Sequence, residues 1–253
     1  MANSIATLEK ALELLQLFTL GRSELSAPQI AAKLGMPLST AYKYLQTLQK
    51  NQFLSKNERT NKYYPGLSIL KLGLFAAEKT SVMEVASAYM ESLVERSLET
   101  AVLTVLDGLN VVCVDVKEAP RVLRITTTKG STLPLYAGSP GKAVLAFKDQ
   151  AFIDHVIEAT GIVELNKNTI TRIEGLREEL ALIRRQGYSE SNSEYVADIC
   201  SVAAPIFDYK GQAIASLSVA GSAERILGQN KENLVGMVKE SARGISSDLG
   251  YVE

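Results

Sequence analysis

Residues 26–48, SAPQIAAKLGMPLSTAYKYLQTL, constrain the fold more tightly than any other stretch of the chain. Two helical patterns meet there across a turn of three residues, Gly35, Met36 and Pro37. Ser26 followed by Gln29 is a capping-box pattern, and Pro28 is tolerated in a first helical turn. A helix over 27–34 would bury Ile30, Ala31 and Leu34, and Gly35 supplies the left-handed residue that often ends a helix. The next helix, over 38–50, keeps Ala41, Leu45 and Leu48 inward at 3.6-residue spacing. Its outer face begins with Ser39, Thr40, Tyr42 and Lys43 and continues with Gln46 and Gln49.

The flanks extend this pair. Ile5, Leu8, Leu12 and Leu15 recur at helical spacing opposite Glu9, Glu13 and Gln16, predicting an amphipathic helix over 4–20 that stops near Gly21. After the third helix, Phe53–Lys56 and Lys62–Tyr64 are two short strand-like runs around the polar tip Asn57-Glu58-Arg59-Thr60-Asn61, a hairpin signal. Three helices and a hairpin, with a tight turn inside, spell a winged helix-turn-helix. In that fold the third helix enters the DNA major groove N-terminus first. Leu38, Ser39, Thr40, Tyr42 and Lys43 are then the candidate DNA contacts. The hydroxyls suit phosphates or base edges, the Thr40 methyl suits thymine, and Lys43 suits phosphate or guanine. Arg59 and Lys62 would meet the backbone or minor groove from the wing. The plainer alternative is a solvated helix face.

At 253 residues the chain exceeds the common domain size of ~100–150, which implies two domains. Its 46% hydrophobic and 22% charged residues are those of a globular protein. No apolar run approaches the ~18–20 residues a membrane helix needs. Glu9 and Glu13 interrupt the N-terminal apolar pattern, arguing against a signal peptide. Two cysteines, Cys113 and Cys200, cannot form a disulfide framework and suit a reducing cytoplasm. The net charge of −1 hides an asymmetry: residues 1–80 carry ten Lys and Arg against five Asp and Glu, residues 81–253 seventeen against twenty-three. A basic front half fits a polyanionic partner.

Leu67, Leu70, Leu72 and Leu74 lead into a short helix. Ser81 with Glu84 opens another, through Leu98, with Val82, Val85, Ala86, Tyr89 and Leu93 on one face. Such a segment docks on the second domain or on a partner chain, and it is the preferred place for a subunit contact. The domain plan is therefore 1–66 for the winged helix, 67–98 for the linker and 99–253 for the rest. From Ala101, AVLTVLDGLNVVCVDV reads as a hairpin around Asp107-Gly108. Arg124–Thr127 suggests a third strand, Gly187–Ser191 another, and SVAAPIFDYKGQAIASLSVAG a hairpin around Tyr209-Lys210-Gly211. Helices are expected over 141–147, from a Thr171 cap with Glu174, and over 231–249. Hairpins with segregated helices indicate an α+β domain whose sheet is mainly antiparallel.

Motifs for chemistry are scarce. Ser139-Pro140-Gly141-Lys142 is no phosphate loop, because Tyr136 and Ala143 occupy positions that need Gly and Ser or Thr. What remains is Ser139 as a helix N-cap with Pro140 behind it, whose free N–H groups could hold a small carboxylate. His155 is the one histidine and reads as a surface residue; Cys113 reads as core. No G-x-S-x-G nucleophile motif occurs. Neither a metal nor another cofactor is implied, and an enzyme is disfavoured.

Several stretches, in order, make the chain resemble the IclR family of bacterial transcriptional regulators over nearly its whole length. They are ATLEKALELLQLF, LSAPQIAAKLGMPLSTAYKYLQTLQKNQFLSK, KYYPGLSILKLG, LPLYAGSPGKAVLAF, TITRIEGLREELALIRRQGYS and CSVAAPIFDYKGQAIASLSVAG. The resemblance implies a GAF-like C-terminal domain that binds a small metabolite and modulates operator binding, in dimers often paired into tetramers. It places effector contacts at Ser139, Pro140, Gly141, Ser191, Ser201, Ser218 and Ala220. Three of these depart from acid-binding relatives. Ser201 stands where cysteine is frequent, Ala220 where a second serine can sit, and Ser191 where an acidic residue occurs. A small carboxylate or sugar acid is the expected effector, an aromatic compound the second choice, with Arg124 an extra partner if it points inward. Two other readings compete: an enzyme with an appended winged helix, and a DNA-binding protein whose back domain serves only assembly. A ligand-induced rise in melting temperature would separate the last from the first.

Overall fold

The computed structural model describes residues 5–18, 24–78, 81–120 and 127–252. The chain forms two compact units, 1–80 and 81–253, each with its own core.

The first unit contains α1 (Ala6–Gln16), β1 (Leu25–Ser26), α2 (Ala27–Lys33), α3 (Leu38–Lys50), β2 (Leu54–Asn57), β3 (Lys62–Pro65) and α4 (Leu67–Glu78). The capping box holds, with Gln29 Oε1 accepting from the Ser26 N–H at 2.9 Å. Gly35 takes the left-handed conformation, φ +60°, that the tight turn requires. Ala41, Leu45 and Leu48 are buried as their spacing predicts, beside Leu14, Ile30, Leu54 and Tyr63. The wing gains a third strand that the sequence did not announce: β1 pairs with β3, giving the order β1-β3-β2.

The first helix is shorter than expected; its expected ends at Ser4 and at 19–21 lie outside the described residues. Ile5, Leu8 and Leu12 are 68%, 55% and 51% exposed, while Leu14 is fully buried. Only the C-terminal half of α1 reaches the core, and the stripe ahead of it stands exposed. Helix α4 does the same with Leu67, Leu70, Leu72 and Phe75.

In the second unit α5 (Ser81–Ser97) precedes β4 (Thr100–Asp107), β5 (Asn110–Lys117), β6 (Thr132–Pro134), α6 (Ser139–Leu145), α7 (Gln150–Thr160) and α8 (Ile173–Gln186). Then come β7 (Ser189–Asn192), β8 (Cys200–Phe207), β9 (Ala213–Gly221), α9 (Ala223–Ile226) and α10 (Lys231–Asp248). The six strands pair antiparallel in the order β6-β5-β4-β9-β8-β7. Both long hairpins fall where their turns predicted, whereas the three-residue β6 was not foreseen. The strand expected at 124–127 lies almost wholly outside the described residues, and Thr127 itself is not in a strand. The α8 cap is Arg172, one residue later than expected.

Side chains alternate across a sheet. One face presents Leu103, Val202, Ala204, Leu217 and Val219 to α5 and α10, whose Ala86, Met90, Leu93, Val238 and Ala242 complete the larger core. The expected linker therefore divides, with α4 in the first unit and α5 in the second. The apolar face of α5 is buried inside its own unit, so this helix docks on the second domain, the first of the two places expected for it. The other sheet face carries Thr104, Ser201, Ser216 and Ser218, and there the polar residues gather.

Candidate functional site

Two surfaces can do chemistry, one in each unit. On α3, Leu38 and Tyr42 are each 43% exposed, Ser39 and Lys43 are exposed, and Thr40 is half-buried. Pro37 caps the helix, and its carbonyl accepts from the Thr40 and Ala41 amides. No acidic residue lies in that first turn, so the positive helix end is uncompensated and suits a phosphate. On the wing, Asn57 Oδ1 accepts from the Arg59 and Thr60 amides at 3.0 and 3.2 Å, which shapes the tip and leaves Arg59 outward. Lys62 is half-buried in β3. Among the described residues Lys43, Arg59 and Lys62 make no ion pair. Thr40 and Lys43 also border an apolar groove with Ile5, the cap of α1, and with Leu8 and Ala11 of that helix, which sequence spacing did not suggest.

In the second unit, sheet register brings distant residues together. Ser191 pairs with Ser201, and Ser201 with Ala220, so three adjacent strands present one row. Ser218 lies two residues before Ala220 on the same face and pairs with Val102. These residues and Pro140 line a cavity of about 230 Å³, together with Thr104, Thr127, Thr132, Leu133, Tyr195 and Ile199 among others. Two expected members do not line it. Ser139 is wholly buried, and its hydroxyl donates to Ser201 Oγ at 2.6 Å. Gly141 is packed so closely that a Cβ would lie 2.3 Å from the Pro134 carbonyl oxygen. Both belong to the wall behind the cavity.

The hydroxyls have defined polarity. Ser216 donates to the Pro140 carbonyl at 3.0 Å, so the 2.7 Å contact with Thr104 runs from the Thr104 hydroxyl to Ser216 Oγ. Ser218 donates to the Val102 carbonyl at 3.2 Å and keeps its lone pairs for another donor. Ser201, having accepted from Ser139, has its own O–H left to give to an oxygen in the cavity.

The helix N-terminus differs from expectation. Gly138, not Ser139, is the N-cap of α6. Its N–H already donates to a carboxylate of the same chain, Glu194 Oε2, at 3.1 Å. Glu194 Oε1 in turn accepts from Lys142 Nζ at 2.6 Å, and Lys142 also reaches Glu179 at 3.0 Å. Lys142 is 1% exposed. Burial pushes the Glu194 carboxyl above the usual carboxylate range, against the pull of Lys142 and the Gly138 N–H. This cluster escaped sequence reading, although a lone lysine inside the apolar run PGKAVLAF is the signal that could have found it. Arg124 lies outside the described residues. His155 is exposed. Cys113 is buried, its thiol pushed up to about 11 by burial and then by Asp115, which makes it a poor nucleophile.

A family model for the IclR helix-turn-helix domain matches residues 7–58, and one for the bacterial transcriptional regulator IclR C-terminal domain matches residues 74–247. The chain belongs to the IclR family. It is 30% identical over 251 residues to the HTH-type transcriptional regulator KipR of Bacillus subtilis, covering 99% of this chain and 100% of that one. It is 29% identical to KdgR of Dickeya chrysanthemi, covering 98% and 81%. Among solved structures, the Thermotoga maritima IclR is 31% identical with a TM-score of 0.69, covering 98% and 100%. An IclR homolog from Microbacterium hydrocarbonoxydans, complexed with 4-hydroxybenzoate, is 25% identical with a TM-score of 0.82, covering 96% and 98%. This IclR-family chain is thus a helix-turn-helix transcriptional regulator and not an enzyme. Among the described residues no helix is long and apolar enough to cross a membrane.

Proposed function

We propose that this regulator reads duplex operator DNA with α3 and its wing, and that a small molecule in the second unit's cavity modulates the binding. Leu38, Ser39, Thr40, Tyr42 and Lys43 enter the major groove, and Arg59 and Lys62 approach the backbone. The observation that carries the effector reading is the convergence of Ser191, Ser201, Ser218 and Ala220, from three strands, on one cavity. The ligand is a small carboxylate or sugar acid, with an aromatic compound in second place. Supporting this are the Ser201 hydroxyl, free to donate to a carboxylate oxygen, and the 4-hydroxybenzoate held by a relative. The protein works as a homodimer or homotetramer, for which the exposed stripes of α1 and α4 are the available apolar surface. The effector acts through α5, whose buried face packs on the sheet that carries the cavity row on its other side, and so biases the placement of the DNA-reading heads.

The test is a thermal-shift screen of small acids against the wild type and Ser201→Leu. At a hundredfold excess over Kd a true effector stabilises by about 2.7 kcal/mol. The expected result is a rise in Tm for one class of acid that Ser201→Leu abolishes. A rise retained in Ser201→Leu would place the ligand elsewhere, and no rise across the panel would favour a purely assembling back domain.

A further inference from the structure

The loop between β7 and β8 spans residues 193–199. Both ends hold non-glycine residues in the left-handed region, Ser193 at φ +55° and Asp198 at φ +62°. Such residues persist only where their surroundings over-determine them, and they cluster at segments that switch. The neck is closed by the Ser193 N–H donating to the Ile199 carbonyl at 3.0 Å. Beyond the neck, Tyr195, Val196 and Ile199 turn toward the cavity and line it. Tyr195 and Val196 remain 38% and 39% exposed, so they are a covering and not a core. The Tyr195 hydroxyl reaches the Thr132 carbonyl of β6 at 3.4 Å, from the opposite edge of the sheet.

One residue of the loop is fastened far more strongly than the rest. Glu194 is buried, and each part of it is held. One carboxylate oxygen takes the Lys142 ammonium, the other takes the Gly138 N–H, and its carbonyl accepts from the Thr169 hydroxyl at 2.7 Å. Lys142 and Gly138 belong to α6 and its cap, the wall that supplies Pro140 to the cavity.

We propose that residues 193–199 form the lid of the cavity, that the Glu194–Lys142 clasp holds it shut, and that Tyr195 selects ligands by closing the mouth. The proposal rests on the reading of the cavity as the effector site. Glu194 is a positioning residue: it does not line the cavity and acts through the neighbouring Tyr195. Glu179 is the built-in control, because it shares Lys142 but sits on α8, outside the loop.

The chain has no tryptophan, so Tyr195→Trp introduces a lone fluorescent reporter on the lid. Acrylamide quenching would be measured on the full chain carrying Tyr195→Trp alone, then with Glu194→Gln, then with Glu179→Gln. Releasing the clasp should raise the quenching constant about threefold, as a shift toward open lids, while Glu179→Gln leaves it near the starting value. An unchanged constant in Glu194→Gln, or an equal rise in Glu179→Gln, would overturn the proposal. Should Glu194→Gln fail to fold, Thr169→Val loosens the same residue from its carbonyl side, and quenching must then rise in that variant. Saturating 4-hydroxybenzoate, used as a probe, should lower quenching in the clasped protein. If it does not, while the clasp comparison behaves as expected, the aromatic reading of the cavity fails and the lid stands.

Discussion

The two units put their working residues on opposite kinds of surface. In the first, the side chains proposed to meet DNA stand mainly on the outside of one helix, and the core beneath them is complete without them. In the second, the side chains proposed to meet a ligand line the inside of a cavity and are tied into its walls by hydrogen bonds. Altering the α3 face should therefore change function and spare stability, whereas the cavity should couple the two. The difference follows from geometry, since a convex face needs no partner in its own chain and a concave one is made of partners.

The sharpest attempt to break this contrast is Lys142→Met. It leaves Glu194 buried without its cation, and breaking one side of a buried pair costs about 3–5 kcal/mol. Urea unfolding should show that loss; a midpoint within error of wild type would mean the cluster is not tied into the fold. Next is Ser201→Ala, which leaves the buried Ser139 hydroxyl without its acceptor at a cost of about 1–3 kcal/mol. It should lower both Tm and acid binding, and a loss of one alone would separate the cavity's two roles.

Lys43→Ala sharpens the other side. Its stability should stay within about 0.5 kcal/mol of wild type, as expected for an exposed position. DNA affinity should fall, and a phosphate contact would reduce the salt slope by about 1 on every sequence. Relaxed preference at one base pair would instead mark a base contact, and unaltered binding would remove Lys43 from the interface. The smallest effect belongs to the cysteines. Both are buried, and burial pushes their thiols up, so iodoacetamide at pH 8 should label neither Cys113 nor Cys200 until the protein unfolds. Rapid labelling of the native protein would contradict that packing.

The same geometric difference governs how much the sequence could reveal. The α3 face is local: Ala41, Leu45 and Leu48 announce the inside, and the residues between them are outside by subtraction. Hairpins are local too, so β4–β5 and β8–β9 were readable from their turns. Local pattern says nothing of which core an apolar stripe serves, and Ile5, Leu8 and Leu12, one face of an amphipathic helix, stand exposed. The cavity depends on register between strands distant in sequence. That register joins Ser191, Ser201 and Ala220, and no period in the chain predicts it. The family resemblance supplied those positions, but it also offered Ser139 and Gly141, which the packing puts behind the wall. Glu194 and Lys142 are fifty-two positions apart and meet only once the loop folds back on α6.

The most direct test of the account is fluorescence anisotropy with labelled duplex from upstream of the protein's own gene, against scrambled duplex, at several salt concentrations. It would be run with and without an acid that raises Tm. The account predicts sequence-selective binding with a steep salt slope, and an affinity that the acid changes in the wild type but not in Ser201→Leu. Selective binding that ignores every stabilising acid would contradict the coupling between the two units.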